Sequence, residues 1–479
     1  MLRRGIVEHQ LGLSVNLVLL VALMYTLFPA LRQRMSAFFL LSYPITNPST
    51  GSTVYGQGTQ DLCLVATFIV LFTGLRAFAL EYILSPLASR ILGISRPKFR
   101  VRFAEQSYML LYYALYWTWG LMLFIRNTPS STRSINDLLI SLWHPFPQLY
   151  VGRGMKIYYL SQLAFWIQQV MVIHIEARRK DHFQMLTHHV ITIALLSFSY
   201  PYRQWRVGNA VLVCMDIVDC VFPFAKVLRY LGLQVACDAA FAAFVILWIA
   251  GRHVCYNAIC WSIWAHVATA EVDGERVMPY GVYSTHSGKR LSEDGGKDVL
   301  VNLLQPLLHP HARTFSFNAS IRWLFLGLLL ALQCITIGWF IMICRVVVRV
   351  LRGEGADDSR SDGEDEDQAA DEEEASAAAN DVPAQPSDHL ALPLTKPKPR
   401  FIEIESTGED VVRPSYAKRR VASASGVKRK GKGFSSGLNL GEHKEILNRI
   451  GCLSEEQLAR EREKREGGSS RPGSAAGKR

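Results

Sequence analysis

The sequence predicts an all-α polytopic membrane protein: about eight transmembrane helices, with seven as the alternative count, and a disordered polar C-terminal tail. Three observations carry this. Apolar runs of membrane-spanning length recur through roughly the first 350 residues, while charge crowds into the rest. Only 19% of residues are charged against 49% hydrophobic, with a mean hydropathy of +0.13; soluble domains sit near 25% charged. Finally, Lys and Arg cluster on alternate connections between the apolar runs. Gly and Pro, at 34 and 20, are ordinary, which excludes collagen-like chains. Nine Cys without a CxxC pair indicate neither a disulfide scaffold nor a zinc ribbon. There is no internal repeat.

The expected spans fall at about 11–30, 62–84, 108–126, 158–176, 188–201, 208–223, 235–261 and 322–344. A span needs about 20 mainly apolar residues. The fifth and sixth are short, because fourteen residues rise only about 21 Å against a core of roughly 30 Å. Arg3 and Arg4 precede the first span, which reads as an uncleaved anchor rather than a signal peptide for lack of a small-residue cleavage site. Basic clusters follow the second span (Arg90 to Arg102), the fourth (Arg178, Arg179, Lys180), the sixth (Lys226, Arg229) and the eighth (Arg345, Arg349, Arg352). This alternation places both termini in the cytosol. Residues 1–60 then form an anchor helix with a lumenal loop, and 61–350 the main transmembrane domain. Residues 351–479 are a cytosolic tail, acidic over 354–374 and later basic at Lys418-Arg419-Arg420 and Lys428-Arg429-Lys430. Such blocks bury too little apolar surface to offset ordering entropy. A capping-box pattern at Ser454 marks one short helix within the tail, and Ser361-Asp-Gly-Glu364 suits an acid-directed kinase.

Ionisable groups inside spans are expensive and mark candidate function. His188 and His189 open the fifth span; Asp216 and Asp219, three apart on one helix face, lie in the sixth. The fifth span enters from the cytosolic side and the sixth leaves toward it, so antiparallel packing brings imidazole and carboxylate together near the cytosolic rim. A carboxylate can orient an imidazole and raise its basicity, and the imidazole can then take a proton or attack an acyl group. Adjacent helical residues point about 100° apart, so the two His cannot share one carboxylate. The structural reading is a His pair at the interface with Asp satisfied by a helix partner; two Asp at a depth matching two His favour chemistry. Metal ligation competes poorly. His182 precedes His188 by six with Met185 between them, and His144, His174, His253 and His266 are scattered, so no metal site is expected. Gln162, Gln168 and Gln169 suit interhelical hydrogen bonds. Arg252, His253 and Asn257 suit a structural network or, more boldly, a cavity lining. The Tyr108 to Trp119 cluster suits an interface belt and packing face.

At these residues the chain resembles the ceramide synthases of the TLC-domain family. The resemblance is carried by Arg100-Val-Arg-Phe-Ala-Glu-Gln106 with Tyr112, Tyr113 and Trp117, and by Tyr158-Tyr159 with Gln162 to Trp166. It continues through Arg179-Lys180-Asp181 to His188-His189, then Ser197 to Tyr200, Arg206 to Gly208, and Met215-Asp216-Ile-Val-Asp219. These stretches cover about 60–265 in ordered spacing and look fungal-like, since residues 31–60 leave no room for a homeobox-like insert. The resemblance implies transfer of a fatty acyl group from acyl-CoA to the amine of a sphingoid base, in the endoplasmic reticulum membrane, with no cofactor. It maps His188, His189, Asp216 and Asp219 onto the catalytic set. It also implies a homo- or heterodimer with another ceramide synthase and a small single-span subunit, and no nucleic acid. CoA phosphates would meet Arg178, Arg179, Lys180, Lys226 or Arg229, because basic side chains bind phosphate. The competing readings are a non-enzymatic TLC-domain protein, translocon-associated or lipid-sensing, and another membrane acyltransferase or elongase.

Overall fold

The computed structural model describes residues 9–47, 51–175, 181–272, 274–308 and 313–352. Eight helices of 18 residues or more dominate these described residues, at the places where the apolar runs stand. Helix α1 (Gln10–Leu27) is apolar all round and buries only Ser14, as a lipid-facing helix does. It lies on α2 (Asp61–Ile91), where Gly74 makes room: a Cβ there would sit 2.8 Å from Ser14 Cβ. Between them a two-stranded hairpin pairs β1 (Pro44–Thr46) with β2 (Thr53–Tyr55). Helix α3 (Pro97–Asn127) starts on a proline, whose missing N–H is harmless at the first helical position. Short α4 (Ile135–Ser141) is held by a capping box between Ser134 and Asp137.

Four helices build the centre. Helix α5 (Arg153–Ile175) packs against α2 and α6 (His182–Ser199), and α7 (Trp205–Tyr230) packs along α3 and α8 (Gln234–Ala265). In α8 the segment Ile249–Cys255 widens into a π turn. Helix α9 (Val299–Leu308) is short, and α10 (Ala319–Leu351) begins where the Asn318 side chain accepts from Ile321 N at 2.9 Å. It runs along α6 and the end of α8.

Five of the eight, namely α1, α2, α3, α8 and α10, are long and apolar enough to cross a membrane. Helices α5, α6 and α7 are more polar because they face one another. Helix α5 buries Lys156, Ser161, Gln162, Gln168 and Gln169 among its apolar residues. The same polarity hides the true ends of α6 and α7. The fifth helix begins at His182, not 188, and the sixth runs through Pro223 to Tyr230. Neither is short once its polar turns are counted.

The connection between α8 and α10 is also more than a loop. It carries a small hairpin of β3 (Glu271–Val272) with β4 (Glu275–Arg276), and a three-stranded antiparallel sheet. That sheet joins β5 (Gly281–Ser284), β6 (Arg290–Ser292) and β7 (Thr314–Phe317) in the order β6–β5–β7. The tail from 353 onward, including the patterns at Ser361 and Ser454, lies outside the described residues, as do Arg178, Arg179 and Lys180.

Candidate active site

Two helix contacts assemble the site. The first joins α7 to α8. A Cβ on Gly251 would lie 2.5 Å from the Cys214 carbonyl oxygen, so only glycine lets the two backbones meet there. The next residue, Arg252, then reaches α7: its Nη2 donates to Asp219 Oδ2 at 2.6 Å and to Met215 O at 3.3 Å. Its guanidinium lies 4.3 Å from the centre of the Trp248 ring. The second contact joins α10 to the start of α6, where Trp339 Nε1 donates to Asp181 Oδ2 at 3.2 Å. Trp339 therefore closes over the histidines.

His188 and His189 are both buried. The Trp166 ring of α5 meets both edge-on, with centroids 5.5 and 5.1 Å away, and Trp339 meets His188 at 5.4 Å. His189 Nδ1 lies 2.7 Å from Met185 O, one turn earlier in its own helix. A carbonyl only accepts, so this contact assigns the proton to Nδ1 and leaves Nε2 as the basic nitrogen of the neutral ring. His188 Nδ1 is buried without a hydrogen-bond partner among the described residues. The expected carboxylate partner of the imidazole is thus replaced by a helix carbonyl and two indole rings. Beginning at His182, α6 sets His188 and His189 about 9–10 Å inside its start, deeper than the rim inferred from hydropathy.

The carboxylates, three residues apart, have separate environments. Asp216 is completely buried and accepts from Gln162 Nε2 at 3.0 Å. Gln162 in turn accepts from Tyr112 Oη at 3.1 Å and donates to Tyr158 Oη at 3.3 Å. Asp216 is not among the residues lining either cavity at the site. Asp219, paired with Arg252, keeps 30% of its side-chain surface exposed and lines both.

Those two cavities meet at the histidines. One is bordered by polar groups including Arg76, Gln106, Gln169, His182, His189 and Arg252. It lies toward the end where α6 begins and α7 finishes. The other is mostly apolar and runs toward the opposite end between α6, α7, α8 and α10, past Leu196, Leu212, Met278 and Phe325. Trp166, His188 and Asp219 border both, and so stand at the junction. Of the basic residues expected near the site, Lys226 packs over Phe222, a wall of the polar cavity, at 4.9 Å, and Arg229 lies in the last turn of α7. Neither lines either of these two cavities. Among the described residues no group of three or more His, Cys, Asp and Glu side chains is placed to hold a metal.

Sequence reasoning assigned no role here to Trp166 or Trp339 and left Arg252 undecided between network and lining. Arg252 carried a signal, a charge deep in an apolar run; Trp339, far along the chain, carried none.

Comparison with known proteins is decisive on the family. Residues 102–345, from α3 into α10, match the TLC domain. The chain belongs to the TLC-domain family. A sphingosine N-acyltransferase-like protein of Alternaria alternata is 42% identical over 361 residues, covering 75% of this chain and 76% of that protein. A ceramide synthase of Gibberella moniliformis is 36% identical, covering 72% and 76%. A sphingosine N-acyltransferase of Schizosaccharomyces pombe is 34% identical, covering 71% and 76%. The TLC match contains His188, His189, Asp216, Asp219 and Arg252, so the whole junction lies within the family's domain.

Proposed function

We propose that this chain is a ceramide synthase, moving a fatty acyl group from acyl-CoA to the amine of a sphingoid base such as dihydrosphingosine or phytosphingosine. The observation that carries the reading is the junction itself: two buried imidazoles and a carboxylate where a polar cavity and an apolar one share a wall. Acyl-CoA has that composition, a polar thioester end on a long hydrocarbon. The polar cavity suits the thioester and the apolar cavity suits a chain.

A sphingoid amine is protonated at neutral pH, near the lysine value of about 10.4. A base must therefore remove a proton before nitrogen attacks. His189, with Nδ1–H committed to Met185 O, offers Nε2 for this. The free amine nitrogen attacks the thioester carbon, and the C–N bond forms as the C–S bond breaks; of the two protons nitrogen sheds, the one lost before attack goes to solvent and the one lost on attack passes through His189 to the departing CoA sulfur. His188, at the junction, is placed to polarise the thioester oxygen. In the covalent variant an imidazole nitrogen attacks first and expels CoA as its thiol, and the amine then attacks the acyl-imidazole and releases the free imidazole. Intact-mass analysis after incubation with acyl-CoA alone separates the two routes.

The face where α6 begins and α7 ends is, in this reading, cytosolic, because Arg178, Arg179 and Lys180 directly precede α6 in the sequence and Lys226 and Arg229 lie near the end of α7, suited to CoA phosphates. An even number of spans returns both termini to that face, in the endoplasmic reticulum membrane. A second ceramide synthase copy and a small single-span subunit are the assembly partners that the family resemblance suggests. The test is ceramide formation by purified protein from a panel of acyl-CoAs and labelled dihydrosphingosine. Product from wild type and at least about 100-fold less from His188→Ala or His189→Ala is expected. Near-normal product in both variants removes the site, and no product from wild type removes the function. A lipid sensor or translocon-associated protein would give the latter.

A further inference from the structure

We infer that Arg252 is a positioning residue for acyl transfer, holding Asp219 as an anion aimed at the junction of the two cavities. This rests on the ceramide synthase reading and adds to it a residue, and a division of labour between the two aspartates.

The geometry is specific. Arg252 is 4% exposed and sits in the wall of the polar cavity. Its Nη2 makes a short bond to Asp219 Oδ2 and a second to the Met215 carbonyl, so the guanidinium is fixed to α7 at two points. Trp248 stacks beneath it. The π turn Ile249–Cys255 and the close approach at Gly251 deliver it to that place. Inserted π turns recur at functional sites. As a stability device the arrangement is poor, since a buried pair returns little beyond its desolvation cost. As a positioning device it is effective. Asp219 stays partly exposed at the junction with His188, while the arginine fixes one oxygen and supplies the countercharge. Asp216 forms no ion pair among the described residues; it accepts from the neutral Gln162 amide and lines neither cavity. Asp219 is therefore the carboxylate that faces the reacting groups, and Asp216 holds α7 to α5.

A double-mutant cycle separates action through Asp219 from independent action. Arg252→Gln, Arg252→Lys, Asp219→Asn and the double variant Arg252→Gln/Asp219→Asn are assayed with acyl-CoA and dihydrosphingosine, alongside thermal midpoints in detergent. Arg252→Gln is expected to lower kcat roughly 10- to 100-fold, the range for losing one hydrogen bond between charged groups. KM for acyl-CoA should hold, Arg252→Lys should recover part of kcat, and the double variant should be no slower than Asp219→Asn alone. Multiplying losses in the double variant, or a rise in KM with kcat intact, would overturn the inference, as would equal losses in the Lys and Gln variants. Should Arg252→Gln fold poorly, Arg252→Lys carries the cycle: its combination with Asp219→Asn must again be no slower than Asp219→Asn. Product from wild type with the wrong Arg252 pattern sinks this inference alone; no product from wild type sinks the underlying reading with it.

Discussion

Two buried charge clusters sit about 15 Å apart along α5, one at Lys156 and one beside Trp166, and they are built in opposite ways. Lys156 Nζ pairs with Asp61 Oδ1 at 2.7 Å and donates to Ser42 O at 2.9 Å and Gly56 O at 2.8 Å, which uses all three ammonium protons. Asp61 Oδ2 accepts from Tyr200 Oη at 2.9 Å and Gly58 N at 3.1 Å. Tyr43 and Tyr55 lay their rings beside the ammonium. Neither charged residue borders the two cavities at the site. At the other end, His188 Nδ1 is buried without a partner among the described residues, Asp219 is partly exposed, and His188 and Asp219 both border two cavities. The first cluster is a fastening: it ties Ser42, Gly56 and Gly58, the start of α2 and the end of α6 to α5. The second keeps hydrogen-bonding capacity in reserve beside open space, as a site that must receive a substrate does. Charge burial alone does not mark function in this fold; burial with unused valence beside a cavity does.

Substitutions can break that contrast. His188→Ala and His189→Ala should each lower acyl transfer by about 10²–10⁴, the range for a lost acid–base group, with little change in thermal midpoint. Lys156→Met should do the reverse. Leaving Asp61 buried and unpaired costs about 3–5 kcal/mol, so folded yield and thermal midpoint fall, while turnover per folded molecule holds. If Lys156→Met abolished turnover in fully folded protein, the two clusters would not be distinct in kind.

Gly251→Ala sharpens the comparison between them. A methyl group against Cys214 O forces α8 off α7, with an overpacking penalty of about 1–3 kcal/mol, and carries Arg252 away from Asp219. Turnover should fall by more than the loss of folded protein accounts for. The smallest effect is expected at the rim. Lys226→Ala and Arg229→Ala should raise KM for acyl-CoA slightly with kcat intact, and the difference should shrink as salt screens the phosphates.

Much of this was legible in the sequence, for physical reasons. Lipid demands apolar length, so all eight helices announced themselves as apolar runs. Lipid also penalises charge, so His188, His189, Asp216 and Asp219 stood out inside those runs. The ends of α6 and α7 were not legible, because His182, Gln184 and Thr187 in the first turns of α6, and Lys226 and Arg229 beyond Pro223 in α7, lower the local hydropathy. Nor were the actual partners. The carbonyl that orients His189 is a backbone atom available at any helical position. Asp219 meets Arg252 from a helix 33 residues on, and Asp181 meets Trp339 across 158 residues; no periodicity encodes either. The β6–β5–β7 sheet was hidden because strands of three or four residues carry too little alternation to read.

A structure of the protein with a non-hydrolysable thioether analogue of acyl-CoA would test the central claim most directly. The account expects the analogue's carbonyl carbon at the junction, within hydrogen-bonding reach of His188 or His189. The nucleotide should lie on the face where α6 begins, with the hydrocarbon among Leu196, Leu212 and Phe325. A carbonyl bound away from both imidazoles, or a nucleotide on the face where α6 ends, would contradict it.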